Sequence, residues 1–252
     1  MTRRLLLALF ALLAIAGPAR AADPDALWKI ISQKCVPNER QYGEPSPCAL
    51  VDIKDGDARG YVVLKDRVGA TQYLVMPTAK ITGIEDPAVL APGAANYFAD
   101  AWRERLFTID AAERDLRRDE LSLAVNSMYG RSQNQLHIHI DCVAPAVKDA
   151  LGRQIAAVGD KWAPFPEPLA GHRYRAVRVD GEALDANPFL LIADGIAGAR
   201  ANMGKETLVV VGATFGGGKP GFVILDTTAD PATGNPGSGE ELQDHSCALA
   251  HG

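Results

Sequence analysis

Several things this sequence lacks narrow its function before anything it contains is weighed. Its 252 residues hold 26 Lys+Arg against 31 Asp+Glu, a formal net charge of −5. Without a basic excess it carries no electrostatic footprint for nucleic acid, whose binding calls for a clustered cationic face. There are only four cysteines, and no C-x-x-C among them. That argues against a thioredoxin-like redox pair or a cysteine zinc knuckle. A single apolar run near the N-terminus approaches membrane-span length, and no second one follows. A phosphate loop is also missing. Gly212-Ala213-Thr214-Phe215-Gly216-Gly217-Gly218-Lys219-Pro220 has Ala213 where the pattern needs glycine and Pro220 where Ser or Thr would hold magnesium. Lying between two strand-like runs, it reads as a glycine-rich hairpin turn. No convincing internal repeat is present.

What is present begins with a basic lead, Met1-Thr2-Arg3-Arg4, an apolar run from Leu5 to Gly17, and Pro18-Ala19-Arg20-Ala21. This order reads as a secretory signal over residues 1–21, either cleaved near Ala21 or kept as a membrane anchor. Residues 22–252 then form the folded body. Hydrophobic content of 47% and charge of 23% suit a chain that buries a real core. An even cysteine count in an exported chain favours disulfides. Of the three possible pairings, spacing favours Cys35–Cys48, closing a loop around Pro37, Pro45 and Pro47, with Cys142–Cys247 tying the tail to the centre.

Along the body, Leu27, Ile30 and Ile31 are spaced for a short helix over residues 24–34. GYVVLK (60–65) and QYLVM (72–76) are β-rich and separated by Asp66-Arg67-Val68-Gly69, which predicts a hairpin. Asp86-Pro87 predicts a helix start, with Tyr97, Phe98, Ala101 and Trp102 on one face of a helix running to about Phe107. Ala111 to Glu120 reads as a solvated charged stretch. Residues 121–126 and 135–143 are the next strands, and Pro145 opens another helix. From about Lys161 the expectation is short strands at 172–179, 189–192, 207–215 and 222–226, then a Pro/Gly/Ser-rich loop from Pro231 to Glu240. The fold class is α+β, an antiparallel sheet with packed helices. A motif half (about 24–160) is elaborated by a β-rich C-terminal half (about 161–252).

The segment that carries chemistry is Asn126 to Asp141, NSMYGRSQNQLHIHID. Strand side chains alternate faces, so His137, His139 and Asp141 share one face while Leu136, Ile138 and Ile140 pack on the core. Three readings fit such a face: a polar partly solvated strand, a metal site built from imidazole and carboxylate, or nucleophilic catalysis at phosphorus. Elsewhere, His172 beside Arg173 and Arg175 reads as surface. Asp244-His245 near Cys247 reads first as a disulfide-tethered tail and second as a contributor to the site.

The surroundings of this strand resemble histidine-triad nucleotide hydrolases and transferases. Asn126, Gly130 in the loop, Gln133 and then His137-Ile138-His139-Ile140 match that superfamily's order, and Tyr73 to Ile81 (YLVMPTAKI) is similar to its strand ending in Pro-x-x-His-Ile. Asp141 stands where the third histidine would be, and Lys80 where the histidine after the proline would be. Within the superfamily the chain is most similar to CDP-diacylglycerol pyrophosphatases, in its N-terminal segment, its length, its Gln-Leu-His-Ile-His-Ile core and its Gly237 to Cys247 tail (GSGEELQDHSC).

The resemblance implies a HIT-like antiparallel sheet and hydrolysis of CDP-diacylglycerol to CMP and phosphatidate. His139 is then the nucleophile, forming a phosphoramidate that water resolves. His137 contacts phosphate or orients its neighbours, and Asp141 holds an imidazole tautomer or stays near the leaving group. Ser132 and Gln133 donate hydrogen bonds to a phosphate oxygen, and Asn126 binds ribose or fixes the loop. The scheme requires no metal or other cofactor. It implies a lipid-linked nucleotide and a membrane surface as partners, at the periplasm or the periplasmic face of the inner membrane. A hydrolase of soluble nucleotides, and a non-catalytic periplasmic nucleotide- or metal-binding protein, are the competing expectations.

Overall fold

The β-branched and aromatic runs that read as strands form one antiparallel sheet in the computed structural model, which describes residues 23–251. The export segment predicted over 1–21 lies outside the described residues. Nine strands take part: β1 (Leu50–Asp52), β2 (Tyr61–Lys65), β3 (Tyr73–Pro77), β4 (Leu121–Val125), β5 (Ile138–Cys142), β6 (Ala163–Pro164), β7 (Arg175–Asp180), β8 (Glu206–Phe215) and β9 (Lys219–Thr228). Their order is β1-β2-β3-β5-β4-β8-β9-β7-β6. The predicted hairpin is β2–β3, in register from Tyr61↔Pro77 to Lys65↔Tyr73. The glycine-rich segment is the β8–β9 turn, where Gly217 and Gly218 take positive φ. The strand with His139, β5, preceded directly by His137, lies inside the sheet between β3 and β4. The β4–β8 pairing joins the strands of the two halves of the chain into one sheet.

Helices α1 (Ala26–Ile30) and α2 (Val36–Tyr42) flank a π-helical turn at Ile31–Cys35, so the predicted first helix continues further than its apolar spacing suggested. Asp86 does cap a turn, accepting the Ala88 N–H at 3.0 Å, but the turn is a 3₁₀ segment of Pro87–Leu90. Pro92-Gly93 interrupts it, with Gly93 at φ 74°, and the helix proper restarts at Asn96, whose side chain accepts from the Ala99 N–H. That helix, α3 (Tyr97–Glu104), buries the expected Tyr97, Phe98, Ala101 and Trp102, and α4 (Leu106–Ala111) follows it. Helix α5 (Pro145–Gln154) begins at Pro145 as predicted.

Two expectations are corrected. Residues 189–192 are not a strand but part of α6 (Pro188–Gly195), started by Asn187, which accepts the Phe189 N–H at 3.1 Å, with Pro188 at the first helical position. Four consecutive apolar residues suit either element, and burial of Phe189, Ile192 and Ala193 at helical spacing settles it. The charged stretch 111–120 is not wholly solvated. Glu120 is buried and receives the Lys148 ammonium at 3.0 Å and the Arg117 N–H at 2.8 Å.

The alternation within each strand divides the core in two. Leu121, Leu123, Ile138, Ile140, Val210 and Ile224 point to the face covered by α3 and α6, where Phe98 meets Phe189 and Trp102 meets Phe222 edge-on. On the opposite face two separate clusters form. One packs α5 on β8 and β9 through Val147, Leu151, Val209 and Leu225. The other packs Ile31, Cys35 and Val36 on β2 and β3 through Val62, Leu64 and Met76. The polar face of β5 lies between these two clusters.

Candidate active site

Because β5 alternates, Ile138 and Ile140 enter the core and His137, His139 and Asp141 line the gap on the other side. His139 stands opposite Leu74 of β3 and Ala124 of β4, two small or apolar neighbours that offer its ring no hydrogen bond. Both ring nitrogens are buried and lack a hydrogen-bond partner in the protein. Two carboxylates approach it. Glu240 Oε1 is 3.3 Å from Nε2, and Asp66 Oδ2 is 3.9 Å from Nδ1. Burial, reinforced by the nearby His245 imidazole, pushes the His139 pKa down to about 4 against the pull of Asp66. The ring is therefore neutral at pH 7.

His137 is held differently. Its Nδ1 lies 2.6 Å from the Gln135 carbonyl, which can only accept, so that nitrogen carries the proton. Burial first, and then His139, pushes its pKa down to about 4. Its ring meets that of His139 edge-on, with centroids 4.8 Å apart and planes at 69°. A neutral Nδ1–H tautomer has no Nε2 proton to give a phosphate oxygen, which favours the expected orienting role over phosphate contact.

Asp141 is fully buried. Its Oδ1 accepts from the Thr71 hydroxyl at 2.7 Å and the Cys142 N–H at 2.9 Å, and its Oδ2 lies 2.8 Å from His245 Nδ1. The imidazole it contacts belongs to His245. His245 Nε2 is turned towards Glu240 Oε2 at 3.7 Å. Its pKa is raised above the ordinary histidine value, chiefly by the hydrogen bond to Asp141.

Asn126 fixes a loop: its amide donates to Glu240 Oε1 at 2.7 Å and its oxygen accepts the Gly239 N–H at 2.8 Å. Gln133 is already engaged, accepting the Leu27 N–H at 3.1 Å and donating to the Asp23 carbonyl at 3.0 Å. It latches α1 to the motif loop, and this engagement stands against the phosphate-donor role expected for it. Ser132 is exposed on the same loop. Gly130 has a steric reason to be glycine, since a Cβ there would sit 2.6 Å from the Gly237 carbonyl of the tail.

These groups surround a cavity of about 500 Å³. Its polar side includes His137, His139, Asn126, Ser132, Gln133 and Glu240, and Lys65, Arg67 and Arg131 bring positive charge. The remaining wall is apolar, formed by Ala26, Leu27 and Ile30 of α1 with Leu64, Val68 and Leu74. Sequence reasoning did not single out Glu240, Asp66 or the three cations, and ranked His245 below a structural role. The tail reaches the site through pairings some 100 residues long. Gln243 donates to the His139 carbonyl at 3.2 Å, and the Asp244 N–H bonds the Cys142 carbonyl at 2.9 Å. The Cys142–Cys247 disulfide fastens the end, and Cys35–Cys48 is also formed, both as spacing suggested. His172 lies outside the cavity but is not a free surface group. Its Nδ1 is 2.9 Å from Glu241, which also accepts from the Tyr174 hydroxyl, so Glu241 anchors the turn from which Glu240 projects. Lys80 is half-exposed, 3.6 Å from Asp25, and peripheral as expected.

Among the described residues no group of three or more His, Cys, Asp or Glu converges to hold a metal ion, and no helix is long and apolar enough to cross a membrane. Residues 22–251 match the family described as CDP-diacylglycerol pyrophosphatase. A curated CDP-diacylglycerol pyrophosphatase from Yersinia pestis is 42% identical over 252 residues, covering 98% of this chain and 95% of that protein. The chain thus belongs to the CDP-diacylglycerol pyrophosphatase family, and it is a hydrolase of phosphoric anhydrides.

Proposed function

We propose that this chain hydrolyses CDP-diacylglycerol to CMP and phosphatidate through a covalent phospho-histidine on His139. One observation carries the reading: a neutral imidazole, buried at a cavity wall, with both ring nitrogens free of protein hydrogen bonds. Its lone pair is available throughout the neutral range. Attack forms an N–P bond as the bridging P–O bond breaks and its electrons leave with the departing phosphate. Water then displaces the imidazole, so one hard displacement becomes two easier ones. Lys65 and Arg67 supply positive charge for a diphosphate, whereas the Arg131 guanidinium is already paired with Glu85. Ser132 is a free hydroxyl donor at the mouth, and the edge-on contact of His137 fixes the plane of the attacking ring.

The apolar wall supports a lipid rather than a soluble nucleotide as substrate. Leu27 and Ile30 belong to the helix that follows the apolar run of residues 5–17, so the surface suited to acyl chains is contiguous in sequence with the segment suited to a membrane. In this reading residues 1–21 are an export signal or anchor. The body of 22–252 is one HIT-like hydrolase unit acting at the periplasmic face of the inner membrane. The adjacent antiparallel β4 and β5, joined by a loop bearing Asn126, Gly130 and Gln133, support the HIT-like assignment.

The test is CMP release from CDP-diacylglycerol in mixed micelles by the full chain, with EDTA present, comparing wild type with His139→Ala. Wild type is expected to release CMP and to carry an acid-labile phosphoryl or cytidylyl label on His139 after a quench. Near-normal turnover by His139→Ala sinks the proposal.

A further inference from the structure

We propose that Glu240 is the acid–base catalyst of this reaction, exchanging a single proton that it shares with His245, which Asp141 holds in place. The inference rests on His139 being the nucleophile and adds the proton bookkeeping that mechanism lacks.

The geometry is a chain of polar groups across the floor of the site. Thr71 donates to Asp141 Oδ1, Asp141 Oδ2 meets His245 Nδ1 at 2.8 Å, and His245 Nε2 faces Glu240 Oε2 at 3.7 Å. Glu240 Oε1 lies 3.3 Å from His139 Nε2. Glu240 alone among the three carriers Asp141, His245 and Glu240 lines the cavity. Its carboxylate is oriented by the Asn126 amide at 2.7 Å, with Gln72 Nε2 at 3.5 Å. A carboxylate beside a diphosphate is repulsive unless a proton accompanies it. Here the proton source sits directly behind it, on an imidazole whose other nitrogen is pinned by a buried carboxylate.

The steps balance. The Glu240–His245 pair begins with one proton. His139 forms the N–P bond, the bridging P–O bond breaks, and the proton passes through Glu240 to the departing oxygen. Glu240 is left as a carboxylate and His245 neutral. In the second step Glu240 takes a proton from the attacking water, the P–N bond breaks and its electrons return to His139, and the pair is recharged. Asp141 and His245 act through Glu240 and are positioning residues.

The groups facing the pair set the pH range. Asp141 and His139 approach from β5, Asp66 and Lys65 from the β2–β3 turn, and Asp244 from the tail. Asp141, Glu240 and Asp66 together raise the His245 pKa. Activity is expected to fall on the alkaline side as the pair loses its proton above the ordinary histidine range.

The experiment measures kcat and kcat/KM against pH for full-length wild type, Glu240→Gln, His245→Asn and His139→Ala, on CDP-diacylglycerol and on 2,4-dinitrophenyl esters of CMP and of phosphatidate. The dinitrophenolate departs without needing a proton. In kcat/KM, which reports the first displacement alone, Glu240→Gln is expected to lose about 10²- to 10⁴-fold on CDP-diacylglycerol and less than about tenfold on whichever ester wild type cleaves, while kcat falls on both because both pass through the water step. His245→Asn removes the proton source behind Glu240 and is expected to move the alkaline limb to lower pH. Equal losses in kcat/KM on both substrates, or a Glu240→Gln profile with the alkaline limb unmoved, overturn the acid–base role. An active His139→Ala overturns the underlying nucleophile instead, so the two failures are told apart.

Discussion

The buried pair His137 and His139 makes acid stability a direct probe of the site. In the folded chain the pKa of each is pushed down to about 4, His137 by burial and then His139, His139 by burial and then His245. In the unfolded chain each returns to about 6.5. Between these values the unfolded state binds the extra protons, so stability falls as pH drops from about 6.5 to about 4 and is fully restored above 6.5. Linkage puts the loss between pH 7 and pH 5 at about 2 kcal/mol per imidazole, as an order of magnitude. His245 runs the other way. Its raised pKa stabilises fully at low pH and is lost as pH rises through the folded value, so it does not mask the acid limb. The assay is urea unfolding, disulfides intact, at pH 7 and pH 5 for wild type and His139→Gln, which keeps polar bulk but cannot titrate in this range. With a urea slope near 2 kcal/mol/M, the wild-type midpoint is expected to fall about 1 M further than that of the variant. Parallel midpoint losses in the two proteins would refute the claim that His139 folds as a buried neutral ring. They would also remove the main reason for calling it a nucleophile.

Two further outcomes are expected. Leu27→Asp puts a charge on the apolar wall of the cavity, and should raise KM for CDP-diacylglycerol at least tenfold while leaving a short-chain or deacylated CDP-glycerol analogue within about threefold. Steady-state kinetics on both substrates checks it. Replacing Cys142 and Cys247 together by serine opens a 105-residue loop and should cost about 5 kcal/mol in equilibrium unfolding on the chain-entropy argument, with a larger loss of activity than of folded protein at 25 °C, because the same bond positions the tail bearing Glu240 and His245.

Local signals made much of the fold legible. β-rich runs flanking a turn gave β2 and β3, and period-two alternation gave β5 and the shared face of His137, His139 and Asp141. Proline after a capping side chain was a weaker guide. Asp86-Pro87 and Asn187-Pro188 carry the same start signal, yet the first yields one 3₁₀ turn before Pro92-Gly93 ends it and the second a true helix hidden in an apolar run. The site itself was half legible. Its nucleophile strand is a continuous motif, whereas Glu240 and His245 are about 100 residues away and enter only through the β4–β8 pairing, the Gln243 clamp and a disulfide. Asp141 could be assigned a tautomer-holding task from its chemistry, but nothing on its own strand reveals that the ring it holds is His245. Gln133 shows the converse limit, a motif residue whose position was read correctly and whose hydrogen bonds are spent on α1.

The order of assembly built into this topology has a consequence for the cell that makes it. The motif strands β2 to β5 leave a synthesising machine well before β8, the tail turn and Cys247, yet β4 keeps an open edge until β8 arrives, and the cavity lacks the Glu240 wall until residues 239–247 settle beside β5. A nascent or still-reduced chain therefore carries His139 in an unfinished pocket. Full hydrolytic competence is expected only after the last residues have been made and the Cys142–Cys247 bond has closed, so the final stretch of the chain times the activity of the whole.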